Sequence, residues 1–546
     1  MPSRNTSHKG KKRSKDYLPE LLLLVSILLG LAASAYLYSG PDPFYDDAWY
    51  IHYAHDAIVG DSDFIANLFA YAFLNIIAIA ASFLLFGYGS FQAILPSIVE
   101  YVLLLIVAFQ ISKRVYGGTF AAASVYLLAL APFLTDYVTR VLPDINMGFA
   151  VGLSLYAFIL ARKEMSVKMS AVAGLLAAYT IYVKTQAFMY VGLFALLIVI
   201  EYISGALKRK KTSSNFKEEK MLAAAAAGLA VGLFAYFAVF YAVTGNAFAS
   251  LNYMASPSGE TIAREVYMLL TPFGNTSAML NSPSAFNTYP IGPLVILAIV
   301  GTAIGLLKRN SYVDYISLVC WAMSLYLIFG SSSINAYYRV PALSRYFAID
   351  AVPFAFLGGY ALLSLYDFAK ARLGKNNSIL KAAFVIFVIV LPIAYIPTYR
   401  MLKVDSISIV YSNNIFSNAV SYIQRMASTE GALDIYTLAP TGFRFNTLYY
   451  LEFADKYNSN IRALTLHENP YGNETSLACT KSDYERISYL FMVEPQYGPP
   501  TIDEQNLIAK WLDSNCTRSE VYQAIPPNAS YYSKIVIYRI ESASQT

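Results

Sequence analysis

Carboxylates and cations recur in this chain where apolar runs begin or end. The densest group is Pro41-Asp42-Pro43-Phe44-Tyr45-Asp46-Asp47-Ala48-Trp49-Tyr50, which continues through His52, His55 and Asp56 to Asp61. A carboxylate beside an apolar run is costly to keep dry, so it stays hydrated or does chemistry. Taken alone, the stretch fits a solvated loop with a helix N-cap at Asp46 or Asp47. The less favoured reading of the stretch alone is a carboxylate that takes a proton from an incoming hydroxyl. Further charges lie at Asp136, Arg140 and Asp144, at Lys184 within Tyr182-Val183-Lys184-Thr185-Gln186, and at Arg339 and Arg345 beside Tyr346. A lone lysine in an apolar run either snorkels to the headgroups or captures an anion. Lysine and arginine neutralise a phosphate, arginine through paired donors. Together, such cations and carboxylates suit the displacement of a lipid phosphate by a hydroxyl. With two or three cations at hand, no divalent metal or other cofactor is expected, and the sequence has no Cys/His cluster of metal-ligand spacing.

Such residues have to be held by a membrane bundle. Of 546 residues, 57% are hydrophobic and only 14% charged, where soluble domains carry roughly a quarter charged. The apolar residues come in long runs, which is the membrane signature. The net charge of +5 is small, and the basic residues cluster in short loops. That placement follows the positive-inside bias and excludes a nucleic-acid-binding patch.

The N-terminal 17 residues are polar and basic and belong in the cytoplasm. The run 18–38 spans outward; Ala33-Ser34-Ala35 looks like a signal-peptidase site, but the length of the run favours an uncleaved anchor. The run 64–86 decides the remaining topology. Basic loops at Lys113-Arg114, Arg162-Lys163, 208–211, Lys308-Arg309 and 370–375 share the cytoplasmic side only if 64–86 does not cross. It is therefore read as a re-entrant or surface helix on the outer face. Spans follow near 91–112, 118–134 and 145–162, then two short helices in 169–205 that meet near Lys184. Those near 220–243, 291–307, 313–330, 349–369 and 380–397 bring the crossings to about eleven. The transmembrane part is thus 18–399, with outer loops 39–90, 135–144, 244–290 and 331–348. A short amphipathic helix is expected near 262–270 in the third of these.

From 400 to 546 charged residues return, and short β-rich runs at 433–438, 461–466, 489–493 and 534–540 alternate with helical patterns at 414–428, 444–457 and 502–514. That alternation predicts a small α/β domain, placed outside by the topology. Cys320 lies in an apolar run and is core. Cys479 and Cys516 share the polar region and are a candidate disulfide if that region faces an oxidising space.

The stretch from Tyr45 to Ala54, ending at Gly60-Asp61, resembles the first outer loop of C-type (GT-C) glycosyltransferases, especially the protein O-mannosyltransferases and the bacterial aminoarabinose transferases. Phe86-Gly87, Lys113-Arg114-Val115-Tyr116-Gly117, Pro143-Asp144, Val183-Lys184-Thr185 and Ser344-Arg345-Tyr346 continue the resemblance in order along the chain. The family's Asp-Glu pair is Asp-Asp here, and the Trp-Trp-Asp motif of oligosaccharyltransferases is absent. The resemblance implies a polytopic helical membrane protein with an extracytoplasmic α/β domain. It implies inverting transfer of a sugar from a polyprenyl or dolichyl phosphate to a protein, lipid or glycan hydroxyl on the outer face. Asp46 would be the base, with Asp47 beside it, and Asp144 would orient donor or acceptor. Lys184 and Arg345 would bind the donor phosphate, and Tyr50 and Tyr346 would line the substrate site. Arg140 joins the phosphate-binding set on position and charge. The setting implied is a prokaryotic plasma membrane or an endoplasmic reticulum membrane, with the N-terminus cytoplasmic and the C-terminus outside. A multispan transporter or flippase is the competing class, but transporters place charges near the midplane and show repeated halves. Here only Glu100 falls near mid-span, and no repeat is visible. A non-catalytic receptor or assembly partner is a third class, disfavoured by the presence of both Asp46 and Lys184.

Overall fold

The computed structural model describes residues 17–40, 46–59, 72–209, 216–248, 292–331, 344–373 and 378–430, together with five strands between 433 and 542. Helix α1 (Leu18–Leu37) is followed by α2 (Asp46–Val59) and α3 (Phe73–Phe86). Then come α4 (Ser90–Tyr116), α5 (Gly118–Ala129), the one-turn α6 (Pro132–Thr135), α7 (Asp144–Glu164), α8 (Val167–Val183), α9 (Phe188–Arg209) and α10 (Phe216–Thr244). After the 249–291 stretch, which lies outside the described residues, come α11 (Pro293–Lys308), α12 (Ser311–Phe329), α13 (Ala351–Leu373), α14 (Ser378–Val390) and α15 (Ile396–Glu430).

The chain is an integral membrane protein: 8 of its described helical segments are long and apolar enough to cross a bilayer, or 9 with the bent pair formed by α5 and 132–139. Helices α3, α8 and α11 are shorter and apolar. Of the 64–86 run the described helical part is α3, with 14 residues, or about 21 Å at 1.5 Å per residue, against a hydrocarbon core of roughly 30 Å; residues 64–71 lie outside the described residues. Local signals set the boundaries. The Asn310 side chain caps α12 by accepting from the Tyr312 and Val313 amides at 3.1 and 3.4 Å, and Ser166 caps α8 by accepting from Met169 at 3.3 Å. Helix α7 carries Asp144 in its first turn and Arg162 and Lys163 in its last, each complementing the helix dipole. Small residues let helices touch: a Cβ at Gly174 would lie 2.0 Å from the Ala225 carbonyl oxygen, so α8 and α10 cross backbone to backbone.

The bundle has two chemically distinct ends. At one end Lys113 pairs with Glu20, Arg162 pairs with Glu201, and Lys163 donates to the Arg114 carbonyl at 2.9 Å. Lys308 reaches Ser364 at 3.5 Å on the same side. Helix α7, about 31 Å long for its 21 residues, runs from there to Asp144, so acidic and basic ends are separated by a membrane thickness.

Beyond the bundle, strands β1 (Leu433–Leu438), β2 (Ile461–Thr465), β3 (Ile487–Glu494), β4 (Cys516–Ala524) and β5 (Lys534–Ser542) form one sheet in the order β2-β1-β3-β5-β4. β1 is parallel to β2 and β3, whereas β5 is antiparallel to β3 and β4. Four of these strands lie where the β-rich runs predict them. β4 was not anticipated, because Cys516-Thr517-Arg518-Ser519-Glu520 lacks the apolar alternation of a half-buried strand; it is an edge strand with Ser519 and Glu520 exposed. Helix α15 passes unbroken through residue 400, where the composition changes, and joins the bundle to the sheet. There Tyr422 stacks on Tyr522 with ring centroids 4.7 Å apart and donates to the Val521 carbonyl at 3.0 Å. The expected helices at 262–270, 444–457 and 502–514, and Cys479, lie outside the described residues.

Candidate active site

Five elements converge at the acidic end. Asp46 opens α2, and its carboxylate accepts from Arg345 Nη2 at 2.7 Å. Asp47, 1% exposed, turns inward and accepts from the Val141 amide at 3.0 Å. That bond fastens the start of α2 to the segment between α6 and α7, so the two adjacent acids have separate environments. Asp144 opens α7 and is fully buried; its Oδ1 accepts from Lys184 Nζ at 2.6 Å, while its buried Oδ2 has no hydrogen-bond partner among the described residues. Lys184 sits where α8 stops: its backbone is extended, with φ −158° and ψ 129°, and a short 3-10 turn, Thr185–Ala187, leads into α9. That break replaces helix with a turn and swings the ammonium out of an otherwise apolar hairpin.

Arg345 and Tyr346 lie on a 3-10 segment, Ser344–Asp350, that leads into α13. The Tyr346 ring is shared by both cations: Lys184 Nζ stands 4.4 Å from its centroid and the Arg345 guanidinium carbon 5.5 Å. A ring quadrupole attracts each cation and holds them on a common spacer. Arg345 keeps one donor in reserve, since its buried Nε has no hydrogen-bond partner among the described residues. Tyr50 is 5% exposed on α2. Burial first, and then the Asp46 and Asp144 charges, push its phenol well above the usual tyrosine range, with Arg345 opposing. Its hydroxyl therefore remains protonated beside the carboxylates.

Of the predicted residues, the structure thus brings Asp46, Arg345, Tyr346, Lys184 and Asp144 into one connected set, with Asp47 and Tyr50 at its edge. Arg140 has its guanidinium 4.0 Å from Asp136, four residues earlier, and its carbonyl accepts from Ser97 at 3.1 Å. His52 and His55, ambiguous in sequence, flank Asp56 at 3.3 and 3.6 Å on α2. Among the described residues no group of three His, Cys, Asp or Glu side chains is arranged to hold a metal ion. Asp350 was missed by sequence reasoning: it reads as the boundary of a span, yet it is a fully buried carboxylate bonded to Ser324 at 2.9 Å.

A sequence profile of the family described as dolichyl-phosphate-mannose-protein mannosyltransferase matches residues 72–231. That stretch holds Asp144 and Lys184 but neither Asp46 nor Arg345. Along nearly its whole length the chain superposes on ArnT from Cupriavidus metallidurans bound to undecaprenyl phosphate, with a TM-score of 0.53 and 13% identity, covering 96% of this chain and 98% of that one. The fold is that of the C-type glycosyltransferases. The apo form of ArnT gives a TM-score of 0.55 at 11% identity over 95% of this chain and 97% of that one. The oligosaccharyltransferase of Archaeoglobus fulgidus in its apo form gives 0.51 at 12%, over 88% of this chain and 70% of that one. No curated protein matches the chain by sequence. Within this fold the candidate residues sit at helix ends: Asp46 and Asp144 begin helices, Lys184 follows one, and Arg345 precedes one.

Proposed function

We propose that this protein is an inverting glycosyltransferase that moves a sugar from a polyprenyl or dolichyl phosphate to an acceptor hydroxyl. The observation that carries the reading is the arrangement of two cations on one tyrosine ring, one of them with an unused buried donor, facing two carboxylates. Asp46 takes the proton from the acceptor hydroxyl. The hydroxyl oxygen bonds to the anomeric carbon from the face opposite the phosphate, and the bond from that carbon to the phosphate oxygen breaks. The electron pair leaves on the lipid phosphate, where Lys184 and Arg345 neutralise it. Asp144 holds Lys184 in place and offers its free Oδ2 to a sugar hydroxyl. Tyr50 and Tyr346 wall the sugar, and Arg140 serves as a reserve cation for the phosphate. Two fixed cations supply the charge that a divalent metal would otherwise bring, so the reaction is proposed to be metal-independent.

Helix-end placement of the charges favours transfer over transport, because transporters bind near the midplane. The fold shared with ArnT and the mannosyltransferase profile supports the lipid-linked donor. The positive-inside bias supports an outer-face site, with the basic end cytoplasmic. The sugar, hexose or pentose, and the acceptor, protein, glycolipid or glycan, are resolved by one experiment. Purified protein is incubated with a panel of prenyl-phosphate sugars, and donor consumption is followed with and without candidate acceptors. Consumption of one donor with inversion supports the reading; vectorial movement of intact donor across vesicles, with no consumption, replaces it with transport.

A further inference from the structure

We infer that Asp350 is a positioning residue for the donor-phosphate clamp, acting through Ser324; this rests on the function proposed above. The clamp residues Arg345 and Tyr346 belong to a seven-residue 3-10 segment that ends at Asp350. A 3-10 helix eclipses side chains every third residue, so Phe347 and Asp350 share a face. Phe347, Ala348, Ile349, Ala351 and Val352 are all 1% exposed or less, so Asp350 stands in an apolar wall. Among the described residues it has one hydrogen bond, accepted by Oδ2 from Ser324 Oγ on α12 at 2.9 Å, and its buried Oδ1 has no partner. A leucine would fill that wall without the desolvation cost of a carboxyl group. What a leucine would not supply is a directional bond that sets the register of the segment against α12.

The opposite side of the segment is fixed by close packing. A Cβ at Gly148 on α7 would lie 2.3 Å from the Ala348 carbonyl oxygen, so only glycine lets the segment rest on α7 one turn from Asp144. The segment is therefore gripped between α7, which carries Asp144, and α12, which carries Ser324. At roughly 2.0 Å rise per residue, the Asp350 bond acts about 10 Å from Arg345 along the same segment. A shift in register there moves the Arg345 guanidinium relative to Lys184 and Asp144. The hydrogen bond, and not a negative charge, is what the site requires of Asp350.

Three variants of the full-length protein test this: Asp350→Leu, Asp350→Asn and Ser324→Ala. Asp350→Leu should weaken binding of a prenyl phosphate by about 3–10-fold, the size of one hydrogen bond, raising the donor KM while leaving kcat unchanged. Asp350→Asn keeps an acceptor for Ser324 and should stay close to the parent. Ser324→Ala removes the same bond and carries the test if Asp350→Leu does not fold; the double variant should be no worse than either single one. Hydrogen exchange of the 344–350 amides should quicken in Asp350→Leu and Ser324→Ala but not in Asp350→Asn. Unchanged exchange, unchanged prenyl-phosphate binding, an equal fall in kcat, or an Asn variant as impaired as the Leu variant each overturns the assignment. If the parent binds no prenyl phosphate, the donor reading fails, and the exchange measurement alone decides whether Asp350 holds the segment.

Discussion

Replacing Asp46 by Asn separates the base from the phosphate clamp, because the same carboxylate touches both. The Asp46 side chain is 28% exposed and bonds Arg345, itself 14% exposed, at 2.7 Å. Asn keeps size and hydrogen bonding but cannot accept a proton, and loss of a general base typically costs 10²–10⁴-fold in rate. The second effect runs the other way. A charged hydrogen bond is worth about 1.5–3 kcal/mol, and in the parent Arg345 must give up that bond, or share it, when the donor phosphate arrives. Asn binds the guanidinium more weakly, so the phosphate competes with less. Partial exposure of the pair discounts the gain, to no more than about tenfold in affinity. The expected result is a large fall in turnover with prenyl-phosphate binding equal to the parent or tighter. Initial rates of sugar transfer and equilibrium binding of a prenyl phosphate, both on purified protein, measure the two effects. Near-parental transfer would refute the assignment and make Asp47 and Asp144 the next bases to test. Equal losses of binding and turnover would show that Asp46 serves mainly to hold Arg345.

Lys184→Ala should act first on donor affinity, by about 1.5–3 kcal/mol for a charged hydrogen bond, and should also lower the melting temperature because it strands the buried Asp144 carboxylate; unchanged donor affinity would remove Lys184 from the clamp. Chelators should leave the parent active, and added magnesium should rescue neither Lys184→Ala nor Asp46→Asn; activity abolished by chelation would recast Asp46, Asp47 and Asp144 as metal ligands. Cysteine placed at Ser166, in the α7–α8 turn, should be labelled only from the cytoplasm, and cysteine at Ser258 only from outside; the opposite pattern at either site reverses the topology. Unreduced mass spectrometry should show Cys479 linked to Cys516, a bridge that would close a loop of roughly 40 residues and stabilise by about 3–4 kcal/mol on the chain-entropy account; two free thiols in protein taken from an oxidising compartment would refute it.

The membrane class, the order of the helices and the break at Lys184 are properties of the linear chain. A bilayer demands apolar runs of about 20 residues, and positive charge flanks them on one side, so hydropathy and lysine placement suffice. The four apolar strands are legible for the same local reason, since β-branched and aromatic residues at short spacing mark them. The polar edge strand β4 is not, because its place depends on pairing with β5 and not on its own residues. The site divides along the same line. Its acids and cations could be nominated from residue type and position at helix ends. Which acid meets which cation could not: Asp46 and Arg345 are 299 positions apart, and Asp144 and Lys184 are 40 apart. Only tertiary packing brings both cations onto the Tyr346 ring and turns Asp47 toward the Val141 amide, whereas the Arg140–Asp136 pair, four residues apart, is local. A charge in a sequence has no partner until helices pack, and in a low-dielectric bundle the partner decides whether that charge is held, spent or free.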